Sequence, residues 1–81
     1  LKTGIRYAAI IHLNGNFTIG TYESDIEAAI AYNKAASTLL RKGYLKDYPV
    51  NYIEELSDSE YRSRYQVVDI SDKIKVLKSL L

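Results

Sequence analysis

The chain is 81 residues long, with 11 Lys or Arg, 10 Asp or Glu and a formal net charge of +1. That length makes one small domain, near the size where a single core barely suffices. With no cysteine and one histidine, a disulfide framework, a thiolate metal centre and a structural zinc site are excluded, and a reducing compartment fits. The apolar runs are far shorter than a membrane span of ~20 residues.

The charge is unevenly placed. Residues 1–22 hold Lys2 and Arg6 and no acid, residues 23–60 hold eight acids against four bases, and residues 61–81 hold five bases against two acids. The first stretch, which forms the expected sheet region, is thus the one long segment with no acid to repel phosphate.

No signal peptide is legible, so the sequence predicts a soluble protein of the cytoplasm, nucleoid-associated if bacterial. The chain opens mid-pattern at Leu1, as a fragment of something longer would. Two units are expected: residues 1–52, a sheet plus a helix, and residues 53–81, a helical extension packing on it or running on from it.

From Arg6 to Leu13 and from Asn16 to Thr21, β-branched, aromatic and small apolar residues dominate, with Asn14-Gly15 between them. This predicts a hairpin. Parity decides the loop. A two-residue turn would set Ile11 against Thr18 and His12 against Phe17, mixing polar and apolar residues on both faces. A three-residue loop, Leu13-Asn14-Gly15, with glycine in the left-handed conformation, segregates them. Ile11 then faces Phe17 and Ala9 faces Ile19, with Tyr7 on the same apolar side. Arg6, Ala8, Ile10, His12, Asn16 and Thr18 share the opposite side.

Ser24-Asp25-Ile26-Glu27 has capping-box spacing and starts a helix that must cover the apolar side. Asp25 and Glu27 suit its positive end. Ala28, Tyr32, Ala35, Ala36 and Leu39 form one stripe at helical spacing, and the small alanines allow close approach to the sheet. Glu27, Lys34, Thr38 and Arg41 are expected on the wet side. Ile26 and Ile30 point away from the stripe and require a second layer from the C-terminal tail. Gly43, after Arg41-Lys42, is a C-terminal cap.

Tyr44 to Tyr52 holds the single proline, Pro49, and reads as an extended segment returning across the body. Its tyrosines, Tyr44, Tyr48 and Tyr52, suit the edge of a small core or a stacking platform for bases. Ser57-Asp58-Ser59-Glu60 repeats the capping-box spacing and predicts a helix to about Tyr65. Ser71 caps a last helix, with Ile70, Ile74, Leu77 and Leu81 on one stripe that could dock on Ile26 and Ile30, begin a longer helix or make a dimer contact.

No catalytic constellation stands out. His12 has no carboxylate on its predicted face, which argues against a general base. Asp58, Glu60, Asp69 and Asp72 are spaced for caps rather than a calcium loop, and Ser24, Ser57 and Ser71 are caps rather than nucleophiles. A non-enzymatic chain without cofactor, metal or small-molecule substrate is expected.

The chain resembles a known family at Arg6-Tyr7-Ala8-Ala9-Ile10-Ile11, at Asn14-Gly15, at Ile19-Gly20-Thr21-Tyr22, along the helix from Glu27-Ala28-Ala29 through Ala31-Tyr32-Asn33 to Ala35-Ala36, and at Val50-Asn51-Tyr52. Over residues 4–52 it is similar to the apetala-two/ethylene-response-factor DNA-binding domain, more to bacterial and phage members than to plant ones. The resemblance implies a three-stranded antiparallel sheet packed on one helix and laid in the DNA major groove.

It implies DNA-facing positions at Arg6, Ala8, Ile10, His12, Asn16 and Thr18, and core positions at Tyr7, Ala9, Ile11, Phe17 and Ile19. Ile10, Asn16 and Thr18 stand where plant members carry arginine, glutamate or tryptophan. The family's first strand would lie upstream of Leu1, leaving an open edge on the Arg6 to His12 strand.

The expected fold is therefore α+β: a small antiparallel sheet of two or three strands on one amphipathic helix, plus short C-terminal helices. The expected function is binding of double-stranded DNA, sequence-specific or general, as a module of a transcription regulator, recombinase or nuclease. Lys2 would neutralise backbone, Arg6 would meet phosphate or a guanine edge, and His12, Asn16 and Thr18 would lie near bases or phosphate. Ala8 and Ile10 would offer apolar contact to a thymine methyl. The alternative is a protein-interaction or homodimer module using the open strand edge and the apolar C-terminal helix.

Overall fold

A computed structural model of the chain describes residues 6–12, 15–45 and 51–81. Lys2, Leu13, Asn14, Tyr48, Pro49 and Val50 lie outside them, and with them the expected roles of Lys2, of the loop's first two residues and of Tyr48. The order is β1 (Tyr7–His12), β2 (Asn16–Tyr22), α1 (Asp25–Lys42), α2 (Asp58–Val67) and α3 (Asp72–Lys75). It is an α+β arrangement, with a two-stranded antiparallel sheet among the described residues packed on α1.

The hairpin closes as parity requires. His12 pairs with Asn16, Ile11 with Phe17 and Ile10 with Thr18, so three residues lie between the strands. Gly15 has φ 114°, a conformation side chains rarely adopt.

Beyond Thr18 the register departs from the expected one. Ala9 pairs with Gly20 rather than Ile19, Ala8 with Thr21 and Tyr7 with Tyr22, because a bulge gives β2 one extra residue opposite the Ala9/Ile10 step. Strict alternation would send Ile19 and Thr21 inward and Tyr22 outward. The bulge instead lets both Ile19 and Tyr22 reach the core and turns Thr21 out. Gly20 makes room: a Cβ there would collide with the Tyr22 ring.

Two contacts from the C-terminal tail pin the bulge. The Ser71 amide donates to the Ile19 carbonyl at 2.9 Å, and the Tyr22 hydroxyl donates to the Asp69 carbonyl. Burial, then the nearby Asp69 and Glu27 carboxylates, pushes the Tyr22 phenol above its ordinary range.

Helix α1 starts and ends where its sequence predicts, but of the capping box expected at Ser24 and Glu27 only the serine half forms. The Ser24 hydroxyl accepts from the Glu27 amide at 3.1 Å, and Gly43 closes the C-terminus at φ 91° with its amide on the last carbonyls. At α2 the capping box is complete, with the Glu60 carboxylate accepting from the Ser57 amide at 2.9 Å and the Ser57 hydroxyl accepting from the Glu60 amide at 3.2 Å. Those bonds from Ser57 hold the Glu60 carboxyl below its usual range.

The core joins three layers. Ala9, Ile11, Ile19 and Tyr22 come from the sheet, Ala31, Ala35, Ala36 and Leu39 from α1, and Ile70 and Ile74 from the tail. Phe17, Ala28 and Tyr32 pack at its margin.

Several expectations are corrected. Tyr7 sits at the start of β1, which among the described residues pairs with β2 alone, and is 40% exposed. Ile70 and Ile74 join the main core rather than docking on Ile26 and Ile30, and Leu81, expected on the same stripe, is exposed. The last helix ends at Lys75, where the Lys42 ammonium donates to the Ile74 and Lys75 carbonyls. Lys34, expected on the wet side, is half-buried: it donates to the Tyr65 and Val68 carbonyls at 2.9 Å and lies 5.6 Å from the Tyr65 ring centroid.

Candidate nucleic-acid interface

The antiparallel ribbon has two faces, and α1 covers one of them. With Ala9 and Ile11 buried beneath the helix, the pleat turns Arg6, Ala8, Ile10 and His12 to the other side. From β2, Asn16 lies opposite His12 and Thr18 opposite Ile10. All six are exposed, Ile10 at 47%. The structure thus brings together every expected interface residue that lies within the described part of the chain.

The bulge adds one residue that alternation missed. Thr21 is exposed, lies opposite Ala8 and is bonded to Arg6, whose Nη2 donates to the Thr21 carbonyl at 3.2 Å and to its Oγ1 at 3.3 Å. The sequence signal was Gly20, since glycine inside a strand pattern marks a bulge.

The face is about 20 Å long by the rise of a six-residue strand and carries a guanidinium, an imidazole, an amide, two threonine hydroxyls and two apolar side chains. Neither β1 nor β2 contains an acidic residue. Such a surface can donate to phosphate and base edges and can lie against a thymine methyl, and it contains no nucleophile activated by a base. Among the described residues no group of three or more His, Cys, Asp or Glu side chains is placed to hold a metal ion. No helix among them is long and apolar enough to cross a membrane.

Comparison with protein-family models, curated proteins and solved structures gives no match. The chemistry of the face and its place on the fold therefore carry the functional argument.

A second surface adjoins the first. A shallow groove of about 360 Å³ runs between the outer edge of β1 and α1, lined by Ala8, Ile10, Ala28, Ala29, Tyr32 and Asn51. Among the described residues only β2 pairs with β1.

Proposed function

We propose that the chain is a double-stranded DNA-binding module that reads its partner with the exposed face of the β1–β2 ribbon. The observation that carries this is the gathering of Arg6, His12, Asn16 and Thr18, with Ala8 and Ile10, on one solvent face of an acid-free ribbon whose other face is fixed to α1. A two-stranded ribbon fits the major groove, which is ~12 Å wide, and the groove displays the full donor and acceptor pattern of each base pair. The resemblance to the apetala-two type domain supports the same face and the same residues.

In this reading Arg6 supplies charge to phosphate or a bidentate contact to guanine, His12 and Asn16 work beside the turn, and Ile10 lies against the floor of the groove. Lys2 would add to backbone neutralisation. The described cations on the face are few, so affinity is expected to be moderate and to fall with salt. The module would serve a regulator, recombinase or nuclease that supplies any catalysis from elsewhere.

Electrophoretic mobility shift at low salt, comparing the parent with Arg6→Ala and His12→Ala, tests this. Weakened binding in both variants is expected. Binding indifferent to both changes and to salt contradicts the sheet-face reading.

A second reading rests on the edge of β1. Its single described neighbour strand, together with the half-exposed Tyr7 and Ile10, would suit pairing with a second copy of the chain. Sedimentation across a concentration series decides it, since a monomer at all concentrations rules it out.

A further inference from the structure

We propose that Thr21 is the positioning residue for Arg6: it holds the guanidinium over the outer face of the ribbon so that Nε and Nη1 remain to donate outward. The inference rests on the DNA-binding reading and deepens it. Arg6 immediately precedes β1, where an arginine side chain would ordinarily sample many rotamers in solvent. Here one residue takes its Nη2 with two acceptors, the carbonyl at 3.2 Å and Oγ1 at 3.3 Å.

That residue faces outward only because β2 is bulged. Without the extra residue opposite the Ala9/Ile10 step, Thr21 would alternate inward, and the guanidinium would lose its hydroxyl partner. The bulge is in turn fixed from the outer edge of β2 by the Ser71 amide on the Ile19 carbonyl and the Tyr22 hydroxyl on the Asp69 carbonyl. A side chain already held in place has less freedom to lose when it meets its partner, and this is where Thr21 acts. Thr21 contributes no charge, so its effect is separable from that of Arg6.

The test measures affinity for a mixed-sequence duplex, and its salt dependence, in the full chain. Thr21→Val keeps the β-branched shape and the carbonyl and removes only the hydroxyl acceptor. It is expected to weaken binding about threefold to tenfold, the scale of one surface side chain ordered on binding, with an unchanged salt slope and melting temperature. Thr21→Ser is expected to restore the affinity. Arg6→Ala is expected to lower the salt slope by about 1, and Thr21→Val made in that background is expected to add nothing. Thr21→Ala, read in the same way, serves if the valine variant does not fold.

A Thr21→Val protein that binds like the parent while Arg6→Ala weakens binding overturns the positioning role and leaves the DNA reading standing. So does a Thr21→Val effect that persists in the Arg6→Ala background, or one that serine fails to rescue. A parent chain that shifts no duplex at low salt overturns both.

Discussion

Asn33 is the buried polar residue on which the tail is hung. Its side chain is 2% exposed, yet all of its polar atoms are used: Nδ2 donates to the Asn51 carbonyl at 3.0 Å and to the Tyr61 hydroxyl at 3.1 Å, and Oδ1 accepts from the Asn51 amide at 2.9 Å. A buried amide with its bonds made is inexpensive, and one half of such a set left alone is not. Asn33→Ala is expected to cost about 1–3 kcal/mol, measured by urea unfolding. A loss no larger than that of an exposed helix substitution would show that the clamp is idle. The sequence placed Asn33 on the helix but carried no sign of what it holds, because its partners lie 18 and 28 residues away.

Tyr22 works in the same manner at the bulge. Its phenol is raised by burial first and by the Asp69 and Glu27 carboxylates second. The neutral form is the one the fold favours, so its contribution is complete below the ordinary tyrosine value and is lost as pH rises through the raised one. Tyr22→Phe is expected to cost about 1 kcal/mol and to flatten the alkaline limb of a stability profile. An alkaline limb identical to the parent's would place the pH response elsewhere. At Asp69 the hydrogen bond and charge of Lys75, 3.0 Å away, hold the carboxyl below its usual range. What this pair adds is present above the ordinary aspartate value and fades as pH falls through the lowered one. Because both groups are exposed, the effect should be small.

At the scale of the elements, local chemistry was legible and long-range geometry was not. The three-residue hairpin loop followed from parity, since only that register separates the faces. The serine caps at Ser24, Ser57 and Ser71 and the glycine at Gly43 followed from spacing. The bulge in β2 did not. Gly20 marks where one could form, but the register it takes also rests on Tyr22 having a carbonyl to reach at Asp69, which no reading of residues 6–22 supplies. Lys34 and Lys42 escaped for the same reason. On a helical wheel Lys34 belongs to the polar side and Lys42 borders the alanine stripe, but in the fold both plug carbonyl ends, of α2 and α3. Gly43→Ala tests the best-specified boundary. At φ 91° an alanine is strained, and its Cβ would lie 3.1 Å from Leu80 and Leu81 atoms. A loss of about 1 kcal/mol or more is expected in thermal unfolding, and an unchanged or raised melting temperature would contradict it.

For the whole molecule, the tail is structural as well as decorative. Ile70 and Ile74 belong to the same core as Ile11 and Leu39, and Ile74 is fully buried. Ile74→Ala is therefore expected to cost about 2–5 kcal/mol, with the sheet and α1 unfolding in the same transition as the tail. The core that supports the interface is built from residues 9 to 74, so the outer face of the ribbon is a property of the entire fold.

The most direct test of that face as the meeting place with DNA is an amide-resolved NMR titration of the chain with double-stranded DNA at low and moderate salt. Shifts concentrated at Arg6 to His12, Asn16 to Thr18 and Thr21, weakening as salt rises, are the predicted result. Shifts confined to α1 or α2, or none at all under low salt, would contradict it.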